Sequence, residues 1–175
     1  TVNHYLENAN DTNYTLISSG TKVGVADTTV TLANEKITSG DFRYATYKEG
    51  KVGTSVVTTT TVLANGSLVI DLYYTRTTYA LTLNKGNYIA SVSGAGTYRW
   101  GQNVDISATL SANEDGYTNS WVNWTSNNAS LLGTQTAQST TIVMPKGAVT
   151  LTANGTTTAN PVEYTVNHYL ENAND

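Results

Sequence analysis

The chain has 175 residues, 39% of them hydrophobic and only 13% charged, with a formal net charge of −4. Nine basic residues against thirteen acidic ones leave no basic surface to neutralise a phosphate backbone, which excludes nucleic acid as an expected partner. The absence of cysteine excludes disulfide frameworks and thiol nucleophiles, and the short apolar runs exclude membrane insertion of this segment. Because its 32 Thr and 19 Asn residues favour strands and turns over helix interiors, the chain is predicted to be mainly β.

The amino-terminal residues predict a strand over positions 2–6. Val2, His4 and Leu6 alternate there with two other residues, which is the period of a strand with one buried face. Because His4 lies in the middle of this apolar face, we expect it to have a structural role. Further along, residues 28–47 are the stretch in which a short helix is predicted, although their Thr and Gly content disfavours helix.

The strongest local signal of the first half is Asn65-Gly66. An Asn-Gly pair supplies the two positive φ angles of a two-residue type I′ turn, so we predict a β-hairpin closed at this point. The opposite faces of the hairpin differ in polarity, and the face that carries Asp71 is assigned mainly to solvent. The core face is predicted to carry Leu63, Leu68, Ile70 and Leu72.

The second half predicts a small meander or sandwich of short strands separated by glycine-containing turns. The predicted strands cover residues 79–83, 89–92, 103–110, 121–124, 140–144 and 149–153. Only Arg76, Thr77 and Thr78 connect the last strand of the first half to the first strand of the second. So short a connection predicts two compact modules with a restricted relative orientation.

An internal identity organises the whole chain, because TVNHYLENAND at residues 1–11 recurs without a change at residues 165–175. Eleven identical positions do not arise from shared β propensity, so the sequence predicts tandem repeats with a period of 164 residues. A duplicated tag is the alternative explanation. We predict a first β module over 1–78, a second over 79–158, and a linker followed by the first strand of the next repeat over 159–175.

Motifs in both halves resemble repeat modules of bacterial surface proteins. The first half, with TVNHYLENANDTNYTL and VLANGSLVIDLYYTR, is similar to the β-grasp-like mucin-binding-protein-like and internalin B-repeat modules. The second half, with GAGTYRWGQNVDISATL and TTIVMPKGAVTLTAN, resembles the divergent internalin B-repeat. The resemblance implies two small β modules in each repeat of an elongated array. It further implies a stalk or adhesin at a Gram-positive cell surface, attached to the cell wall or secreted, with no catalytic residues and no cofactor.

The residues themselves do not favour an enzyme. A catalytic triad needs a nucleophile, a base and an orienting group, yet one period contains a single His and no Cys. The adjacent Glu114 and Asp115 are better explained by a turn than by a carboxylate pair flanking a glycosidic bond. We predict no metal site, although four clustered residues offer oxygen ligands suited to calcium at a spacing that matches no known loop. They are Glu7, Asn10, Asp11 and Asn13. The sequence leaves open whether a Lys and an Asn side chain form an isopeptide bond.

Aromatic residues of the second half are the candidates for contact with a sugar. Trp100, Tyr98 and Trp121 are the candidate ligand contacts, but packing against the neighbouring module is the favoured role for Trp100. Trp121 and Trp124 are three residues apart in a predicted strand, so we expect them to face opposite ways. The resemblance assigns Trp124 to the core. The Asn119-Ser120 stretch departs from the family pattern, so the resemblance does not decide the position of Trp121.

The sequence supports two functions of different classes. The first is a tandem-repeat spacer whose partners are neighbouring repeats of the same chain and which projects a distal adhesive region from a bacterial cell surface. The second is a module that binds a host glycan or mucin weakly and gains from multivalency. Because residues 159–164 contain Pro161 and no Gly/Ser-rich spacer, we expect a semi-rigid joint between repeats. The strand after it is expected to fray unless it pairs with a sheet edge.

Overall fold

The computed structural model describes residues 1–128, 131 and 137–173. The described chain is mainly β, as predicted, and two short 3₁₀ helices lie in its first half. In the first half the strands are β1 (Val2–Glu7), β2 (Tyr14–Gly20), β3 (Thr29–Thr31), β4 (Ala45–Val52), β5 (Ser55–Val56), β6 (Thr59–Thr61) and β7 (Ile70–Arg76), and the 3₁₀ helices are Leu32–Glu35 and Gly40–Tyr44. In the second half the strands are β8 (Thr78–Lys85), β9 (Ile89–Ser93), β10 (Gly96–Arg99), β11 (Asn103–Leu110), β12 (Tyr117–Ser126), β13 (Ser139–Val143) and β14 (Val149–Ala159).

The first half is built on a five-stranded sheet of order β2-β1-β7-β4-β5, in which β1 and β7 lie side by side and parallel at the centre. The predicted alternation of β1 is confirmed, since Val2, His4 and Leu6 are all buried. The two 3₁₀ helices stand where a short helix was predicted. The buried residues form one cluster, the amino-terminal core, which consists of Val2, Leu6, Leu32, Phe42, Ile70, Leu72, Tyr74 and Trp100.

The hairpin predicted at Asn65-Gly66 is wrong. A turn does form there, with the Gly66 amide donating to the Leu63 carbonyl at 3.0 Å, and Gly66 has a positive φ of 72°. Asn65, however, does not have the positive φ that a type I′ turn needs, because its side-chain oxygen accepts a hydrogen bond from the Ser67 amide at 3.0 Å. β6 therefore pairs with β3, while β7 enters the main sheet.

The face predicted for the core is consequently only half right. Ile70 and Leu72 are buried on β7, and Leu68 packs partly buried against the amino-terminal core. Leu63 lies before the turn on a segment that does not pair with β7, and 46% of it is exposed. Asp71, on the opposite face of β7, is partly exposed and accepts a hydrogen bond from Asn3 at 2.8 Å.

The second half contains a four-stranded sheet of order β10-β8-β14-β12 and a three-stranded sheet of order β13-β11-β9. It is sandwich-like rather than a simple meander, because its first and last strands, β8 and β14, pair in parallel. Both sheets contribute to one buried cluster, the carboxy-terminal core, which consists of Leu81, Ile89, Val104, Ile106, Ala108, Trp124, Ile142, Met144, Val149, Leu151 and Ala153. The module boundaries proposed from the sequence stay predictions, as does the β-grasp-like assignment of the first half.

Residues 160–173 follow β14 without forming a strand. Their apolar side chains are open to solvent, and Tyr164 and Leu170 are 85% and 95% exposed. No helix in the described part of the chain has the length and hydropathy needed to cross a bilayer.

Candidate functional site

Hydrogen bonds and an ion pair link the two halves of the described chain, and we call this contact the joint. Thr77 is the single residue between β7 and β8. Its amide donates to the Tyr44 carbonyl of the first half at 3.0 Å, and its carbonyl accepts from the Trp100 amide at 3.3 Å. The connection is therefore hydrogen-bonded on both sides rather than free to swing.

Trp100 fills the centre of the joint. It follows β10 of the second half, yet it is only 7% exposed and packs as a member of the amino-terminal core. Its indole Nε1 donates to the Tyr44 carbonyl at 2.7 Å, so the polar edge of the ring is satisfied as well as its apolar faces. One half of the repeat thus completes the core of the other.

Arg76, at the end of β7, covers the Trp100 ring. The guanidinium carbon lies 3.7 Å from the ring centroid, a cation–π contact. Nε donates to the Glu7 carbonyl at 2.6 Å and Nη1 to the Trp100 carbonyl at 3.3 Å. Burial lowers the pKa of Arg76, but a guanidinium keeps its charge in proteins. The charge is compensated by carbonyl oxygens from both halves and by the neighbouring Glu7 carboxylate.

Glu7 joins the same network from β1. One carboxylate oxygen lies 2.9 Å from Arg99 of the second half, and the other accepts the Arg76 amide at 3.1 Å. Arg99 also donates to the Asp11 carbonyl at 3.1 Å. Because the Glu7 side chain is 11% exposed, this ion pair is shielded from solvent far more than an ordinary surface pair.

The cluster considered for calcium is used by this joint. The Asn10 side-chain oxygen accepts the Asn103 amide at 2.8 Å, which links the first loop to β11. One Asp11 carboxylate oxygen accepts the Asn13 amide at 2.7 Å and shapes the loop itself. Within the described residues, no group of three or more His, Cys, Asp or Glu side chains is placed to hold a metal ion.

The opposite rim of the joint is held by Lys146. Its ammonium lies 2.7 Å from the Asp41 carboxylate and within 5 Å of two ring centroids, at 4.9 Å from Tyr44 and 4.6 Å from Trp100. Gly101 lets the chain after Trp100 lie close to Ala9 and Arg76 of the first half. It has a φ of 83°, and a Cβ there would stand 3.3 Å from both residues. These contacts fix the orientation of the two halves.

The three predicted ligand contacts are not brought together on one surface. Trp100 is buried and packs against the first half, which is the role favoured for it over a surface contact. Tyr98 is partly buried on β10, with its hydroxyl donating to the Gly94 carbonyl at 2.9 Å. Trp121 lies on β12, at the other edge of the same sheet. A role of Tyr98 or Trp121 in ligand binding stays a prediction.

The expected orientation of Trp121 relative to Trp124 is wrong. The two rings are in edge contact with centroids 5.6 Å apart. The register of β12 against β14 shifts between Trp121 and Asn123, and such a bulge places side chains three residues apart on one face. Trp124 is buried in the core, as the resemblance implied, and Trp121 packs partly buried against it.

A tyrosine patch that the sequence analysis missed lies on the outer face of the first sheet. Tyr5 and Tyr73 are stacked with centroids 4.9 Å apart, and Tyr14 meets Tyr73 edge-on at 5.2 Å. Lys51 lies 4.7 Å over the Tyr73 ring, and Lys48 approaches the Tyr14 hydroxyl at 3.1 Å. The signal was available in the alternation of β1 and β7, whose second faces both carry tyrosine.

The pKa of Tyr5 is raised by burial, with the nearby Asp71 carboxylate adding to the effect. The phenol of Tyr5 therefore stays protonated, and ammonium groups lie beside the patch. Aromatic rings combined with hydrogen-bonding groups form a surface that can contact other polar rings.

His4 has the structural role expected for it. Its Nδ1 lies 3.0 Å from the hydroxyl of Tyr74, which in turn accepts the Ile37 amide at 3.0 Å. Since the Tyr74 hydroxyl accepts from that amide, its own proton is available to the imidazole. Burial lowers the pKa of His4, with Lys22 adding to the effect, so the ring is held neutral.

Comparison with known families gives one match. Residues 79–161 match the sequence model of the divergent InlB B-repeat domain, just under half of the chain. No curated protein and no solved structure matches the chain. The match supports the internalin B-repeat resemblance of the second half, a type of repeat associated with bacterial surface proteins and not an enzyme family. The mucin-binding-like resemblance of the first half stays a prediction.

Proposed function

We propose that the chain is one repeat, with the start of the next, of a tandem spacer that projects a distal adhesive region from a bacterial cell surface. The observation that carries this proposal is the joint. Trp100 of the second half lies in the core of the first half, so the two halves are coupled by packing rather than by a flexible linker. The match to a surface-protein repeat and the identity of residues 1–11 and 165–175 support the tandem arrangement.

A fixed joint gives a spacer its reach. Two modules of about 80 residues laid end to end extend roughly 60 Å, and an array keeps that increment only when its joints resist bending. Thr-rich surfaces with few charged residues suit this role, because they carry little that attracts charged partners. Repeat number would then set the distance between the cell wall and the adhesive region.

Small-angle scattering on proteins with one, two and four complete repeats tests the proposal. For a semi-rigid spacer, the maximum dimension grows nearly linearly, by roughly 60 Å per repeat. Growth with the square root of repeat number, as for freely jointed modules, contradicts it.

The same method tests the joint inside one repeat. Trp100→Ala removes the ring that fills the joint, so we expect a broader distribution of dimensions in the single 175-residue chain. Trp121→Ala is the matched control, since it removes the same ring from the second half without touching the joint. We expect the control to leave the scattering curve as it is. If Trp100→Ala leaves the curve unchanged while Trp121→Ala alters it, packing at Trp100 does not set the relative orientation of the two halves.

The tyrosine patch favours a second candidate function, weak binding of a host glycan or mucin that is multiplied by repeat number. Stacked Tyr5 and Tyr73 rings flanked by Lys51 form a surface suited to a sugar ring. A glycan array probed with one and with four repeats tests this candidate. Binding that rises with repeat number and is lost in Tyr73→Ala, but kept in the control Tyr117→Ala, supports it; no binding at any repeat number removes it.

A further inference from the structure

An open cleft of about 690 Å³ lies at the start of β1, away from the joint. Its walls carry both apolar and polar groups, and two of the apolar side chains that line it are poorly covered, with Val23 fully exposed and Leu63 46% exposed. Lys22 and Glu35, an ion pair with 3.0 Å between the charged groups, also line it. A cleft with apolar side chains beside a polar pair suits an amphipathic side chain.

The hydrogen-bonded pairing of β1 with β7 in the five-stranded sheet extends to this cleft. In the parallel pairing of β1 with β7, Val2 lies opposite Ile70. The Ile70 amide donates to the Thr1 carbonyl at 2.9 Å, and the Thr1 nitrogen donates to the Leu68 carbonyl at 2.8 Å. One more residue ahead of Thr1 would continue the ladder and stand opposite Leu68.

The pairing on the other side of β1 leads to the same place. Val2 lies opposite Gly20 of β2, so a residue ahead of Thr1 would stand opposite Lys22. Successive strand residues alternate between faces, and this residue would therefore share the buried face of Val2. Its side chain would enter the cleft between Leu68 and Lys22.

The sequence supplies that residue. Residues 165–175 repeat residues 1–11, and the residue directly before the second copy is Tyr164. In the described chain Tyr164 is 85% exposed, and Val162, two residues earlier, is 77% exposed. Both apolar side chains lack a covering surface at the very point where the identical strand of the next repeat would begin.

We propose that Tyr164 of each repeat inserts into the cleft of the following repeat. There it completes the first strand and fixes the connection between the two repeats. The ring covers Leu63 and Val23, and the phenol hydroxyl meets the Lys22–Glu35 pair. The proposal rests on the tandem arrangement of the proposed function and not on its surface role. The occupant of the cleft is thus a second copy of this chain, joined to it covalently.

The test uses the 175-residue chain and an extended chain in which a copy of residues 161–164 precedes Thr1. Thermal unfolding of the extended chain is expected to begin roughly 4–8 °C higher, because the added tyrosine buries apolar surface of the first half. Tyr164→Ala in the leading copy should abolish the gain. Glu163→Ala in the leading copy is the matched control, since this side chain lies on the opposite face, and it should keep the gain.

Two further measurements make the outcome unambiguous. Tyr164→Ala at the carboxy-terminal end of the unextended chain should not move the transition, because no cleft follows it there. In the extended chain, nuclear Overhauser contacts should join the leading Tyr164 ring to the Leu68 methyl groups. An equal gain with alanine, or the absence of these contacts, overturns the proposal. Linear growth of arrays in scattering would then still support the spacer, so the two failures are distinguishable.

Discussion

Residues 1–11 and residues 165–175 have the same sequence, but residues 165–173, the described part of the second copy, adopt a different state from the first. In the first copy Val2 is 4% exposed and Leu6 is 1% exposed, within a strand paired on both sides. In the second copy the corresponding Val166 and Leu170 are 58% and 95% exposed, and no strand forms over the described residues up to 173. Local propensity is identical in the two places, so it does not decide the outcome.

The two copies differ in what packs against them within the described chain. The first copy precedes β2 and β7, which pair with it, and Phe42, Leu32 and Trp100, which cover its apolar face. The second copy meets none of these, and an isolated strand leaves both apolar groups and backbone donors open to water. Strand formation here is a property of the complete module, and paired substitutions at equivalent positions measure it.

The largest contrast is expected for leucine. Leu6→Ala should lower the free energy of unfolding by about 2–5 kcal/mol, because it opens a cavity in the amino-terminal core. Leu170→Ala, the same change at the equivalent residue, should alter it by less than about 0.5 kcal/mol. Chemical denaturation of both variants measures the difference. Equal losses would mean that the second copy is packed in solution.

Glutamate gives the next contrast, and it probes the joint. Glu7→Gln keeps the shape of the side chain but removes the charge that faces Arg99 at 2.9 Å, so we expect a loss of about 1.5–3 kcal/mol. Glu171→Gln, whose residue is exposed, should leave stability unchanged. Denaturation at low and moderate salt provides the readout. A loss that disappears in moderate salt would show that the pair behaves as an exposed one.

Tyrosine gives a smaller contrast on the outer face of the first sheet. Tyr5→Ala removes the ring stacked on Tyr73 and should destabilise the chain by about 1 kcal/mol. Tyr169→Ala, at a residue that is 91% exposed, should be neutral. Thermal unfolding monitored by near-ultraviolet circular dichroism detects both stability and tyrosine packing. A neutral Tyr5→Ala would mean that the stack contributes nothing beyond ordinary surface contacts.

Periodicity predicted the elements whose side chains alternate cleanly. The apolar face of β1 and the buried Ile70 and Leu72 of β7 could be read from the sequence, because period-2 alternation reports burial directly. The mainly β character followed from composition. The pairing of β7 could not be read, since the Asn65-Gly66 signal concerns only the turn, and the parallel partner of β7 is about seventy residues away in sequence.

The joint could be predicted only in part. Packing of Trp100 against the neighbouring module and a restricted orientation of the two halves were expected, but nothing near Trp100 in sequence indicates which residues of the first half it meets. Arg76 is 24 residues away from Trp100, and Glu7 is a further 69 residues away from Arg76, so only the fold brings them together. The contact of Trp121 with Trp124 likewise depends on a bulge, which the strict alternation rule does not anticipate.

The smallest contrast, and the only one that depends on pH, is expected for histidine. Burial lowers the pKa of His4 below its usual value of 6.5, whereas the unfolded chain keeps the usual value. Between these two values the unfolded state binds more protons than the folded state, so the free energy of unfolding rises with pH across this window. Stability contributed by neutral His4 is therefore present above about pH 6.5 and declines as the pH falls below it.

Denaturation between pH 7.5 and pH 5 tests this expectation, with each unit by which the pKa is lowered corresponding to about 1.4 kcal/mol. His4→Gln should flatten the part of the profile just below pH 6.5, because the amide can still bond to the Tyr74 hydroxyl but does not titrate there. His168→Gln is the control in the second copy and should leave the profile as it is, since the exposed ring has no folded partner to lose. If both variants keep the decline, other groups cause it. If both remove it, the second copy of the strand is folded in solution and the contrast between the two copies does not hold.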